Sequence, residues 1–470
     1  MLYGFWKYGR HKQQACFEYF FRSLPVHTGF ALFAGLDQVL SFIRNFSFNS
    51  DDLAYLKTQG FDDAFIQYLK DFKLEVDLWS VPEGTVVFPN EPLLRVEGPI
   101  GALQFFETFL LNALNYPTLV ATKAARVCYA AEGEPVMEFG LRRAQGPDGG
   151  LIGARAAVIG GCVGTSNVLA GKLFGLQVLG THAHSWVMSF EGESEAFKAY
   201  ADVFPDNITL LVDTYDPVRS GIPNAVKVFS ELRAQGKTVR PAIRLDSGDL
   251  AKLSKEAWRQ FRAAGFEDPV IVASNELDED LIADLKRQGA KINAWGVGTH
   301  LITCSDYPAL GGVYKLVAIQ EDGRWRPRIK ISGNLGKITD PGRKRIVRYF
   351  NAEGHPQADV LYLEDEPVQE GRIRAFDRET MIKEVVFRAH HQAELHTKTV
   401  ENGVVIVEPP PVAEIRRQAM DNLTHLPEEY RRLRYPQTYS VYLSPEAARL
   451  KRALLKAAHF YHEEPSAARE

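Results

Sequence analysis

Six short polar runs, each following an apolar run, hold most of the side chains in this sequence that could do chemistry. They are Phe139-Gly140-Leu141-Arg142-Arg143, Gly180-Thr181-His182-Ala183-His184, Asp213-Thr214-Tyr215-Asp216, Arg244-Leu245-Asp246-Ser247-Gly248-Asp249, Ser274-Asn275 and Gly296-Val297-Gly298-Thr299. Arginines suit a carboxylate or a phosphate, because the guanidinium offers a planar fork of donors. Aspartates suit Mg2+ or sugar hydroxyls, and glycines let backbone N–H groups come close to a phosphate. As a set the runs imply an anionic substrate handled with a metal. Each taken singly also has a plainer reading. The Gly296–Thr299 run serves equally as a strand-to-helix turn, although its place after a buried strand favours phosphate. Asp249 or Ser247 can simply cap the helix that follows, which leaves Asp246, beside Arg244, as the functional member. His182 reads as a satisfied structural histidine and His184 as a functional one. Arg343-Lys344-Arg345 reads as a solvated turn or an anion clamp, not a nucleic-acid patch.

The elements that must position these residues follow from periodicity. Short apolar strands are expected at Pro135–Phe139, Gln177–Thr181, Ile208–Val212, Val239–Leu245, Val270–Ala273 and Ile292–Val297, with Gly312–Ile319 as a seventh. Strands alternating with helical segments pair in parallel through crossover helices. Six or seven such units suit an α/β barrel, whose functional residues gather where the strands end. Two helices, 101–114 and 117–132, precede the first of these strands; Pro117 suits a first helical position. Before them the chain mixes a half-buried strand over Cys16–Phe21, an amphipathic helix over Thr28–Arg44 and another over Asp51–Gln59 with Ser50 as its cap. After about residue 323 hairpin-like strands return at Lys330–Ile338 and Arg345–Tyr349, and a helix runs from Ser444 to about His462. The expected organisation is an α/β barrel over 111–325, flanked by 1–110 and 326–470, the two ends forming one mixed α+β domain.

Composition narrows the class further. The chain has 470 residues with 45% hydrophobic and 24% charged side chains, ordinary for a soluble globular protein. Its net charge of −4 favours no polyanionic partner, so no nucleic acid is expected. No stretch of 18 apolar residues lacks a charge, so no membrane span is expected. Four widely spaced cysteines, Cys16, Cys128, Cys162 and Cys304, support neither a zinc site nor a disulfide framework. A reducing cytoplasm is the expected compartment.

Longer motifs carry a resemblance. They are EFGLRRAQGPDGG at 138–150, GTSNVLAG at 164–171, GTHAHSW at 180–186, LVDTYD at 211–216, RLDSGDL at 244–250, GVGT at 296–299, LGGVYKL at 310–316 and LPEEYRRLR at 426–434. In order and over nearly the whole chain, these resemble the nicotinate phosphoribosyltransferase family. The resemblance implies the type II phosphoribosyltransferase fold: an irregular α/β barrel, a mixed domain built from both chain ends, and a homodimer with shared active sites. It implies a ligase-type, ATP-dependent reaction in which nicotinate and 5-phosphoribosyl 1-diphosphate give nicotinate mononucleotide and diphosphate, the first step of NAD salvage from nicotinate. Mg2+ is the implied cofactor and ATP a co-substrate.

Site roles follow from the same resemblance. Asp213 and Asp246 would hold ribose hydroxyls or Mg2+-bound water, and Arg244 and Thr181 would contact nicotinate. Phe139 would offer a stacking face, with Arg142 and Ser166 beside it. Gly298 and Thr299, together with Gly311 and Gly312, would bind phosphate. His184 matches the histidine that ATP phosphorylates. Nicotinamide phosphoribosyltransferases place an aspartate where this chain has Ser166, and a serine near arginines suits a carboxylate better. A quinolinate-specific relative would not need the His184 motif, and a non-catalytic barrel would not keep the strand ends intact. Family members carry an Asp-Leu-Tyr segment ahead of Gly4-Phe5-Trp6; Tyr3 and Tyr8 stand in a different context, so either the start site is set too far downstream or the protein lacks the stacking tyrosine.

Overall fold

A computed structural model describes residues 1–462. The chain divides into two units, one of Met1–Thr118, Ala309–Pro410 and the chain from Gln418 on, the other of Leu119–Pro308 with Pro411–Arg417. The dividing lines fall at 118 and 308, where periodicity draws them at 110 and 325.

The first unit is built on two sheets. A seven-stranded sheet sets 312–321 and 94–99 on either side of Gln14–Phe21, both antiparallel to it. Gln14–Phe21 is not half-buried as alternation suggests. Every residue after Gln14 is buried, including Glu18. That carboxylate is tolerated because Lys344 Nζ lies 2.8 Å away and the Lys344 backbone N–H donates to it at 3.0 Å; an unpaired buried charge would cost several kcal/mol. Arg343-Lys344-Arg345 is accordingly neither a solvated turn nor an anion clamp. It opens the strand Lys344–Phe350, and its three cations pair with Glu97, Glu18 and Glu394. The strand expected at 312–319 forms, but as a member of this antiparallel sheet and not of the barrel. Residues 330–338 form no strand; a 3-10 turn occupies Leu335–Lys337.

Two helix expectations change for one reason. The segment 28–44 splits into a short strand at Ala31–Leu32 and a helix at Leu36–Asn45. Gly35 between them has φ 106°, and a Cβ there would lie 2.1 Å from the Ala113 carbonyl oxygen. The expected pair of helices is instead one helix, Ile100–Ala130, with Pro117 inside it. Proline lacks the N–H that would have bonded the carbonyl four residues back, at Ala113. That carbonyl is met by the Gln38 amide at 3.5 Å, and only glycine at 35 lets the backbone reach it. Asn49, not Ser50, caps the next helix, Ser50–Thr58, in a reciprocal box with Asp52.

The second unit is an irregular α/β barrel. Its strands are β1 (Val136–Glu138), β2 (Gly164–Thr165), β3 (Thr209–Leu211), β4 (Ala242–Leu245), β5 (Val270–Ala273) and β6 (Ala294–Val297), all parallel, in the order β2-β1-β6-β5-β4-β3. The segment expected as a strand at 177–181 does not become one. It contributes a bridge between Val178 and Thr165, with Leu179 N–H donating to the Thr165 carbonyl at 2.9 Å. Beyond it no ladder reaches β3. A side chain spans the gap: the Leu211 N–H donates to His182 Nε2 at 3.0 Å, while Nδ1 faces the Ala183 carbonyl at 3.4 Å. A ring nitrogen that accepts must be bare, so the ring is neutral with its proton on Nδ1.

Burial enforces that neutrality, pulling the His182 pKa down from 6.5 to about 4. The unfolded chain binds a proton near pH 6.5 that the folded chain refuses until about pH 4. The contribution to stability is therefore complete above pH 6.5 and is lost as pH falls toward 4, on the order of 3 kcal/mol in all. His182→Gln keeps an acceptor but cannot titrate. Urea denaturation at pH 7 and pH 4.5 is expected to show a smaller pH loss in the variant than in the parent; equal losses would remove His182 as the cause.

Candidate functional site

The barrel's carboxyl rim holds a cavity of about 500 Å³, lined by Phe139, Arg142, Ser166, Thr181, His184, Arg244 and Asp246 among others. That volume suits a small-molecule ligand. It also takes in Ser274, Asn275, Glu276, Gly298 and Thr299. Five of the six polar runs thus meet at one opening. The sixth, through Asp213, lies just beneath it.

Asp246 is the hub. Its Oδ1 accepts from the Ser274 hydroxyl, and its Oδ2 lies 3.7 Å from Arg244 Nη2 and 3.6 Å from His184 Nε2. Arg244 also donates to the Thr181 hydroxyl, while its Nε is buried with no partner. Burial disfavours the guanidinium's charge and lowers its pKa, and Asp246 and Asp213 counter that loss. A cation held in this way at the cavity wall is prepared for an anion. The other nitrogen of His184 meets Thr214 Oγ1 at 3.1 Å, so the ring is gripped from both sides at the start of the helix His184–Met188.

Asp213 is buried at the end of β3. Its Oδ2 accepts from the Asp246 N–H at 2.8 Å and the Ser247 hydroxyl at 2.6 Å, and its Oδ1 has no partner. Ser247 therefore serves Asp213, and Asp249 takes the capping role, accepting from Lys252 N–H at 2.9 Å. His182, as above, is structural. Gly311 and Gly312 belong to the other unit and do not line the cavity. A Cβ at Gly312 would lie 2.0 Å from Asn115 Oδ1, so packing already requires a glycine there.

The Phe139 turn is held from below. Glu138 is fully buried; it accepts from the Thr165 hydroxyl at 2.5 Å and from the Gly140 N–H, and burial raises its pKa. Its carbonyl takes the Ser166 N–H at 3.0 Å. One carboxylate thereby fixes both β1 and β2 loops. Sequence reasoning gave Glu138 and Thr214 no role of their own and missed Glu276. For Glu276 no signal was available: Asn275 and Glu276 adopt left-handed backbones, φ 88° and 37°, where a pattern search expects glycine.

An irregular barrel of parallel strands with a polar, arginine-bearing cavity at their carboxyl ends is the arrangement of a barrel enzyme acting on a small anion. The family descriptions agree. The model described as "Nicotinate phosphoribosyltransferase (NAPRTase) family" matches residues 135–348, and those for its N-terminal and C-terminal domains match 1–115 and 343–451. A nicotinate phosphoribosyltransferase of Bacillus subtilis is 46% identical, covering 95% of this chain and 91% of its own. One from Homo sapiens is 36% identical, over 97% and 94%. The crystal structure of human nicotinic acid phosphoribosyltransferase superposes with a TM-score of 0.86 at 35% identity, covering 97% of this chain and 98% of that one. The chain belongs to the nicotinate phosphoribosyltransferase family.

The packing of the cavity floor is directly testable. A Cβ at Gly296 would fall 2.7 Å from Phe139 Cδ2 and 2.8 Å from Cε2. Gly296→Ala is expected to destabilise the protein by about 1–3 kcal/mol, as overpacking does, measured by urea denaturation. The loss should largely vanish when the same change is made in a Phe139→Ala background. An equal loss in both backgrounds would mean that the ring is not what the methyl meets.

Proposed function

We propose that the protein couples ATP hydrolysis to transfer of phosphoribosyl from 5-phosphoribosyl 1-diphosphate to nicotinate, giving nicotinate mononucleotide and diphosphate, as the first step of NAD salvage from nicotinate. The observation that carries this reading is Arg244: a half-buried guanidinium in the cavity wall, bound to Thr181 and held beside Asp246. Family membership supplies the reaction class.

In this reading Arg244 and Thr181 hold the nicotinate carboxylate, and Phe139 stacks on the ring. Ser166 suits the nicotinate carboxylate, and Arg142 and the Gly298-Thr299 turn receive the anionic groups of the phosphoribosyl donor. The ring nitrogen attacks C1 as the bond to diphosphate breaks, and positive charge grows on the sugar. Asp213 and Asp246 stand where their negative charge can oppose it. Mg2+ suits these donors: Asp213 Oδ1 is a buried oxygen without a partner. Among the described residues no three His, Cys, Asp or Glu side chains converge on one point, and Mg2+ needs only one or two carboxylates when substrate phosphates complete its shell. When bound, Mg2+ would neutralise charge on the leaving diphosphate. His184 attacks the γ-phosphorus of ATP through a bare ring nitrogen; the bond to the bridging oxygen breaks and ADP leaves. A phosphorylated His184 at this rim ties ATP hydrolysis to substrate binding and product release.

A homodimer with shared active sites belongs to the same reading. Its support is the helix Val168–Phe174, which begins two residues after Ser166 and exposes Val168, Leu169 and Leu173; contiguous exposed apolar side chains mark interfaces. No described helix is long and apolar enough to cross a membrane, and a cytoplasmic setting is part of the proposal.

Two measurements test the reading. Diphosphate release should favour nicotinate over nicotinamide by orders of magnitude in kcat/KM, because an amide leaves Arg244 without its anion at a site built for one; comparable use of both would overturn the substrate assignment. His184→Asn should abolish ATP hydrolysis and the acid-labile label from γ-labelled ATP, yet leave slow, ATP-independent nucleotide formation. Normal labelling in a well-folded variant would end the phosphohistidine proposal.

A further inference from the structure

Just past the end of β5 the backbone does something costly. Asn275 and Glu276 occupy the left-handed region in succession, at φ 88° and 37°, and non-glycine residues persist there only when the surrounding structure holds them. What this placement achieves is visible at the Glu276 side chain. Its Oε1 accepts from the Thr299 hydroxyl at 3.2 Å, and its Oε2 faces His300 Nε2 at 3.3 Å. The opposite nitrogen of His300 meets the Ser305 hydroxyl at 2.6 Å. A chain of side chains, Thr299–Glu276–His300–Ser305, thus ties the loop after β5 to the turn after β6. Both Glu276 and Thr299 line the cavity.

The arrangement runs against simple electrostatics, since a carboxylate at the mouth of a site for anions should repel them. Its use is mechanical. The Thr299 hydroxyl is committed to Glu276, which fixes the side chain of the turn. Gly298 adds no side chain of its own; a Cβ there would press on the Phe139 carbonyl at 3.2 Å. Gly298 lines the cavity and can present only backbone to it. His300 Nε2, 3.3 Å from Oε2, gives the Glu276 carboxylate a polar counterpart on the same turn.

We propose that Glu276 is a positioning residue for the donor substrate: by holding Thr299 and His300 it fixes the Gly298-Thr299 turn in the shape that receives a phosphate of 5-phosphoribosyl 1-diphosphate. The proposal rests on the reading of that turn as a phosphate site. It assigns Glu276 no contact with nicotinate and no part in bond making.

The test uses the full-length protein and a KM-against-kcat split. Glu276→Gly removes the carboxylate while accepting the left-handed backbone, so the fold is not asked to bear new strain. Losing the hydrogen bonds that orient the turn should raise KM for 5-phosphoribosyl 1-diphosphate about three- to tenfold, with KM for nicotinate and kcat moving less than twofold. Glu276→Gln, which can still accept from Thr299, should recover most of the loss. His300→Ala gives an independent reading should the glycine variant fold poorly, and it too should raise the donor KM. Unchanged or lowered donor KM in Glu276→Gly or His300→Ala would overturn the proposal, whatever happens to Tm. Gly298→Ala separates this from the underlying reading. If it leaves the donor KM unchanged, the turn is not a phosphate site and both fall; if it raises KM while the Glu276 and His300 variants do not, only the positioning role falls.

Discussion

A single imidazole holds the barrel rim in place. Between the 177–179 segment and β3 the parallel ladder is broken, and His182 Nε2 accepts the Leu211 N–H in its stead. Backbone donors buried at such a break must find a partner, and a neutral histidine provides one where no strand can. The consequence is positional. Thr181 and His184 flank His182 in sequence, so fixing its ring against β3 sets Thr181 against Arg244 and His184 against Thr214. The price of this device is a group that must stay uncharged.

Given that frame, the electrostatics of the rim are ordered around shared carboxylates. Asp213 spends one oxygen on the β4 loop, through the Asp246 N–H and Ser247 hydroxyl, and keeps the other bare. Asp246 is fastened by Ser274 and stands between Arg244 and His184. Glu138 does the equivalent work for the loops of β1 and β2. Neighbouring loops are therefore not independent. Each carboxylate ties two strand ends together, which holds the spacing of charges when no ligand is bound and reduces the reorganisation required at the moment of reaction.

The first unit uses buried charge differently. Asp340 accepts from Lys451 Nζ and Arg378 Nε, each at 2.6 Å, and the Lys344 ammonium, besides pairing with Glu18, donates to the Asp340 and Gly342 carbonyls. These pairs join the opening strand, the strand at 344–350 and the closing helix, Pro445–His462, within one unit. Such pairs are weak as net stabilisers, but removing one partner leaves a buried charge behind. They act as a register lock for segments more than 300 residues apart in sequence.

Local pattern was enough for the chain to announce its parallel strands, the polar runs that follow them, and the resemblance carried by its motifs. Five of the expected barrel strands formed, Val270–Ala273 with the expected bounds and those nearest residues 137, 210, 243 and 295 with shortened ends, because apolar runs bounded by turn residues are a local signal. The roles of Asp249 as a helix cap and His182 as a structural residue were legible for the same reason. Tertiary structure decided what depends on distant partners. It made one helix of two across Pro117, because Gln38 and Gly35 were there to meet the freed Ala113 carbonyl. It kept 177–181 out of the sheet, moved 312–319 into another one, and buried Glu18 and Lys344 together. It also brought Glu276, Thr214 and Glu138 to the site, through bonds to Thr299, His184 and Thr165. None of these leaves a mark in spacing or residue type, since a hydrogen bond between residues tens of positions apart costs nothing in periodicity and is fixed only when the chain closes on itself.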